Sequence, residues 1–426
     1  MFLLAAGLFV LVYQIVLSFP GGDSDYIDHL IWTLGMTWRD CLESLYDGSE
    51  RLWHICVKCI MCLNSNMWKA AAIVTASADT ASYILLFAFF DECLPRKFSR
   101  PILAVVTAAA FISSALYVPV LAPGFYVSKG AINTWHNPTS IMVRPFAIAV
   151  FYMTVRMYNR YRYATGTVAL YGQVSRSDFD LTQNDFWYLF KDRVYKPHEI
   201  ILYPLCILLS TYAKPSFLQF FAPAILAFLL IDMFRTKGKL LPFCLKLALA
   251  YIPAIVIMLM QFTSFFHGGI SAGAEAAAST GSGVAVYFLQ PSFAGISEFF
   301  STVGTVILRL LWLCAWPLFV LFLDAGSYWG SAGGRLSCLC LAAGELESML
   351  LHETGPRAEH GNFLWGFYTA VWIFWCAAVE RFIAILQMGG KKRAAALWVG
   401  CPLLAWHVAS GILYVTKIIQ TGLYLY

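Results

Sequence analysis

The stretch FLQFFAPAILAFLLIDMF, residues 217–234, carries one charge in 18 residues and stands between Lys214 and Arg235. An apolar run of about 18 or more residues with almost no charge is long enough to cross a bilayer as a helix. Similar runs recur on both sides of it, and together they set the fold class. Hydrophobic residues make up 60% of the 426-residue chain and charged ones 12%. The mean hydropathy is +0.68. A soluble chain of this length has no use for that much apolar surface. The runs are continuous and not alternating, so helices are expected and an outer-membrane barrel is not. Aromatic residues reach 16%, and many Trp and Tyr lie at run ends, where amphipathic rings favour the interface.

Working outward from 217–234, the spans are expected at 2–19, 68–90, 101–122, 139–157, 199–213, 217–234, 240–262, 301–324, 333–352, 363–388 and 394–417. The chain is thus expected to be an all-α polytopic membrane protein of about 11 transmembrane helices. The fifth run is short, and the ninth carries Glu345 and Glu347 near its end. Arg96, Lys97 and Arg100, the group from Arg156 to Lys196, Arg235 with Lys237 and Lys239, and Lys391 to Arg393 all fall on one side of this count. The Lys/Arg bias makes that side cytoplasmic. The first span lacks a basic leader and a clear cleavage site, so it is read as a retained anchor with a cytoplasmic N-terminus. The net charge of +5 decides topology more than partners.

Four polar motifs then fall together on the opposite, external face. They are Gly22 to His29, Trp135 to Thr139 with Arg144, Lys214 to Ser216, and Glu353 to Phe363. Ionisable groups near hydrocarbon are expensive and rarely kept without a use. Asp23 and Asp25 can act as a base toward a hydroxyl or hold a divalent cation, Mg or Mn. Asp28 and His29 open an amphipathic stretch, where a helix-capping role for Asp25 or Asp28 is the plainer alternative. Asn137 and Pro138 suit a helix start. Arg144, inside a span, needs a carboxylate or phosphate, and His136 can donate to the same group. Lys214 either snorkels to head groups or binds phosphate. From His352 to His360, both included, there are five ionisable side chains. Arg357 and His360 are candidates for a phosphate leaving group, and Glu353 and Glu359 can orient them. Asn362 starts the next helix, whose free N–H groups favour an anion.

Residues 20–67 alternate apolar and charged side chains and are read as one or two interfacial helices. Residues 158–198 form a cytoplasmic segment with a small helix expected around Thr182–Phe190. Residues 263–300, rich in Gly, Ala and Ser, are expected to be a mobile external loop. Cys56, Cys59 and Cys62 form a C-x-x-C-x-x-C run. It is read as one apolar helix face sooner than as a metal site or disulfide, since zinc sites usually need a second ligand pair. No internal repeat is visible.

The acidic Asp23-Ser24-Asp25 motif directly after the first span, followed by interfacial helices, resembles the GT-C class of membrane glycosyltransferases. The resemblance implies a polytopic helical enzyme using a polyprenyl-phosphate-linked sugar donor. It also implies that Asp23 or Asp25 serves as catalytic base or metal ligand. The Trp135–Pro145 and Glu353–Phe363 segments are similar to bacterial membrane proteins of surface-polysaccharide assembly. The expected function is transfer of the sugar to a glycan, lipid or protein acceptor at the outer face of a bacterial plasma membrane. The alternatives are a polysaccharide polymerase using lipid-pyrophosphate glycans, a transporter or flippase of lipid-linked glycan, and a non-catalytic scaffold. No nucleic acid is expected as a partner.

Overall fold

The structure, a computed structural model, describes residues 7–9, 12–13, 25–47, 49, 51–93, 99–118, 137–164, 197–265, 270–272, 283–286, 303–355 and 362–421. Among the described residues, six helices are long and apolar enough to cross a membrane. They are Met67–Glu92, Pro138–Arg162, Ser216–Arg235, Leu241–Ser264, Asn362–Gln387 and Gly390–Lys417. The elements that contain them are α4 (Met67–Cys93), α6 (Pro138–Ala164), α8 (Ser216–Arg235), α9 (Leu241–Phe265) and α13 (Asn362–Gln387). The last span is composite: α14 (Gly390–Ala395), a π turn (Ala396–Gly400) and α15 (Cys401–Thr421). Around them stand α5 (Arg100–Ile112), α7 (Pro197–Ala213), α10 (Val303–Leu323), α11 (Ala325–Gly330) and α12 (Ala332–Leu350). The protein is therefore helical and membrane-embedded in character. Most of the expected span at 2–19 and the helix expected at 182–190 lie outside the described residues.

Three expectations are corrected. The run 101–122 is not one continuous helix. It ends at Ile112 after 13 residues, about 20 Å at 1.5 Å per residue, too short for a hydrocarbon core of roughly 30 Å. The Ser113 hydroxyl turns back to the Ala109 carbonyl at 2.7 Å, and Pro119 disfavours helix just before it. The chain then runs extended through 113–118 inside the bundle, and neighbours satisfy its backbone. The Ser114 N–H donates to the His407 carbonyl, the Leu116 N–H to the Trp312 carbonyl and the Tyr117 N–H to Ser410 Oγ. The indoles of Trp312 and Trp406 donate to the carbonyls of Leu116 and Tyr117. Irregular backbone at membrane depth survives only when protein satisfies it this way.

The region 263–300 also holds order that the loop reading did not foresee. Strands β1 (Ile270–Ala272) and β2 (Gly283–Val286) pair in parallel, and β2 pairs antiparallel with β3 (Leu351–Thr354). Residues 266–269, 273–282 and 287–302 lie outside the described residues.

Three helices, not one or two, occupy 25–61: α1 (Asp25–Gly35), α2 (Trp38–Asp47) and α3 (Leu52–Met61). Ile31, Trp32, Leu34, Trp38, Leu42 and Leu45 stand exposed on the first two. Tyr26 and Leu30 of α1 and Trp53 and Val57 of α3 pack inward. Apolar side chains turned outward beside charged ones are what a helix lying in the head-group layer presents.

Candidate functional site

At the start of α6, the Asn137 side-chain oxygen accepts the Ser140 backbone N–H at 2.9 Å and the Thr139 hydroxyl, which caps the helix. Its amide nitrogen donates to Asp25 Oδ2 at 2.6 Å. The capping role read for Asn137 and the candidate base Asp25 thus belong to one hydrogen-bonded unit, 112 positions apart in sequence. Asp28 is exposed in the first turn of α1, where negative charge suits the helix dipole.

His29 Nδ1 meets His54 Nε2 at 2.9 Å, which joins α1 to α3. Burial holds His54 down to about 4, with nearby Arg51 acting in the same direction. Burial also pushes His29 well below its ordinary value, and His54 and Lys214 add to the effect. Both rings are neutral near pH 7, so one must donate and the other accept. The Lys214 influence places the end of α7 beside this pair. Lys214 is 5% exposed, with its ammonium 5.1 Å from the centroid of the Trp365 ring, a cation–π distance.

Glu353, at the end of β3, accepts from both the backbone N–H and the side chain of Asn362 at 2.9 Å. The anion expected at this helix start is therefore supplied by the chain itself, as a cap on α13.

Between α8, α9, α12 and the start of α13 lies a cavity of about 650 Å³. Leu339, Ala343, Ala227 and Met258 line its depth, and β2 covers it with Val284 and Val286. Along α12 the lining runs from Leu339 to Leu350, about 16 Å at 1.5 Å per residue. Leu259 and Leu346 line it yet are 56% and 53% exposed, so its wall reaches the outer, lipid-facing surface. Its polar side chains gather at one end: Lys214, Ser216, Gln219, Gln261, Glu347 and Asn362. A cavity of this size, largely apolar with a few convergent polar groups, has the make-up of a small-molecule site.

Arg144 lies elsewhere. It is 5% exposed and donates to Asp79 Oδ1 at 3.2 Å, while the Tyr13 hydroxyl donates to Asp79 Oδ2 at 2.5 Å. Its guanidinium also sits 5.8 Å from the Trp372 ring. The carboxylate partner that a buried arginine needs is thus Asp79, from the middle of α4. Sequence reading passed over Asp79, although an acid and an arginine in two different spans signal such a pair. It also missed the buried pairs Arg309–Glu345 and Arg335–Asp232. Ionisable groups are therefore not confined to one face.

Asp23, His136, Arg357, Glu359 and His360 lie outside the described residues. Cys56 is half-buried, while Cys59 and Cys62 are exposed. Among the described residues no group of three or more His, Cys, Asp or Glu side chains comes together as a metal site. The cation considered for Asp23 and Asp25 thus has, among those residues, only the Asp25 carboxylate, already bonded to Asn137.

The fold is that of a helical protein with six candidate membrane-spanning helices among the described residues, and the cavity is its largely apolar pocket with polar side chains beside it. Comparison with family models, with curated proteins and with solved structures returns no match for the chain.

Proposed function

We propose that this protein is a membrane-embedded glycosyltransferase. It takes a sugar from a polyprenyl-phosphate-linked donor and transfers it to a glycan, lipid or protein acceptor at the outer face of a bacterial plasma membrane. One observation carries the reading: the apolar cavity that reaches the lipid-facing surface and ends at Lys214, Gln261, Glu347 and Asn362. An isoprenoid tail suits the apolar walls, and the buried ammonium of Lys214 suits the phosphate.

In this reading the acceptor hydroxyl attacks the anomeric carbon and its proton passes to Asp25. The bond from that carbon to the phosphate oxygen breaks, and the lipid phosphate departs with the electron pair. Asn137 orients the base through its 2.6 Å hydrogen bond. Arg357 and His360 join as further cations for the leaving group, on the sequence argument alone. A polymerase using lipid-pyrophosphate glycans would draw on the same parts.

The test is transfer by the protein in nanodiscs, offered a panel of polyprenyl-phosphate and polyprenyl-pyrophosphate sugars. Wild type should release the lipid phosphate. Asp25→Asn should slow release by about 10²–10⁴-fold, and Lys214→Ala by about 10²-fold. Saturable donor binding without turnover for any donor would sink the enzyme reading.

A second reading, transport of a lipid-linked glycan, draws on the buried Tyr13–Asp79–Arg144 group. Ionisable residues at membrane depth often mark a translocation path. It requires counterflow of labelled substrate across vesicles, abolished by Asp79→Asn.

A further inference from the structure

The polar end of the cavity is rich in acceptors that lack donors. Glu347 is 7% exposed, and neither of its carboxyl oxygens has a hydrogen-bond partner among the described residues. Gln261 is 1% exposed; its amide nitrogen donates to the Thr211 carbonyl at 2.9 Å, which turns its oxygen the other way. That oxygen too has no partner among the described residues. Both side chains line the same cavity. Buried acceptors left without donors are costly, and native proteins rarely keep several in one place without something to fill them.

The neighbouring backbone also holds Glu347 in place. A methyl group on Gly366 would stand 2.8 Å from Glu347 Oε2 and 2.9 Å from the Ser216 carbonyl oxygen. Gly366 therefore leaves the carboxyl room at the level of the Lys214–Ser216 turn, about one helical turn inside α13.

We propose that the cavity recognises an amphiphile with a polyhydroxylated, sugar-type head, whose hydroxyls donate to Glu347 and Gln261. A set of separate acceptor oxygens, one of them on a neutral amide, suits several hydroxyls better than a single point charge. A cationic head is disfavoured because Lys214 stands at the same end of the cavity. This inference deepens the transferase reading and rests on it for the identity of the tail. The donor-rich head follows from the unpaired acceptors themselves.

Three probes with one dodecyl tail bearing a diazirine test it, with the full-length protein in nanodiscs. The heads are maltose, a methyl-capped oligo(ethylene glycol) that accepts but cannot donate, and trimethylammonium. Labelling of the peptide spanning Leu339 to Leu350 is read by mass spectrometry. The maltoside should label it at least about tenfold more than either other probe. Glu347→Leu and Gln261→Leu should each lower maltoside labelling by about tenfold, and the glycol-headed probe should not change. Should the leucine variants fail to give a monodisperse protein, the isosteric Glu347→Gln must still lower maltoside labelling about threefold.

Equal labelling by the three heads, a preference for the cation, or maltoside labelling indifferent to these variants would overturn the proposal. Maltoside selectivity with no sugar transfer from any polyprenyl donor would keep this site and remove the transferase. Transfer by a protein blind to the head group would do the reverse.

Discussion

Arg144 and Asp79 are both buried, at 5% and 0% exposure. Removing only one of them strands the other charge away from water. Arg144→Met should therefore destabilise the protein by about 3–5 kcal/mol, whereas Arg144→Met with Asp79→Leu should recover most of that loss. Thermal unfolding in detergent, compared across the two single variants and the double, checks the coupling. If the double variant is no more stable than the singles, the pair is not the unit described. The histidine pair behaves differently because both rings are held neutral. Their proton affinity is depressed in the fold, so the unfolded chain binds protons first as pH falls. Stability contributed by His54 is intact above pH 6.5, its ordinary value, and is lost on the way down to about 4. By pH 5 the loss should reach about 2 kcal/mol. Hydrogen exchange in residues 25–61 should accelerate between pH 7 and pH 5, and His54→Phe should flatten that dependence.

Proline and glycine explain how the helices meet. Pro317 lacks an N–H, so the carbonyl of Leu313 has no donor from within α10, which is kinked next to it at Cys314. The Trp375 indole from α13 fills the gap at 3.0 Å. The kink is thus tied to its neighbour by the bond that the proline released. At Gly411, an added methyl group would meet the Ile112 carbonyl oxygen at 1.7 Å. Gly411→Ala should force α15 away from the end of α5 and cost on the order of 3 kcal/mol. It should also loosen the extended segment 113–118, which is bonded to Ser410 and His407. A lowered melting temperature with faster exchange at 114–117 is the expected outcome; an unchanged melting temperature would contradict the close approach. That α5 stops at Ile112 was partly legible in Ser113, Ser114 and Pro119. The donors that let the chain run unhelical inside the bundle were not, since Trp312 and Ser410 lie far along the sequence.

Across the whole molecule, Asp25, Asn137, Lys214, Glu353 and Asn362 come from five separate elements or their caps. Hydrogen bonds join Asn137 to Asp25 and Asn362 to Glu353, and Lys214 and Asn362 line one cavity. The opposite end holds its own ionic links, Arg160 with Glu199 and Asp324 with Arg381 and Lys392. The Lys/Arg bias predicts that this second end faces the cytoplasm. Exposed Cys59 and Cys62 provide the check. In intact cells a membrane-impermeant maleimide should label them, and a Lys391→Cys variant made in a Cys59→Ser, Cys62→Ser background should stay unlabelled until the membrane is opened. The reverse pattern would invert the topology and move the cavity's polar end to the cytoplasm.

Long apolar runs require helices because hydrocarbon offers no partner to a backbone N–H, and that much the sequence determined by itself. It also marked where the polar motifs begin, because carboxylates and cations stand out against an apolar background, and it showed that Arg144 needed an anion. Only the tertiary structure decided that the anion is Asp79, that Glu353 closes the start of α13, and that Glu347 and Gln261 face a common space. Partner choice depends on which helices lie side by side, and packing between residues tens to hundreds of positions apart settles that. Periodicity and composition carry no record of it.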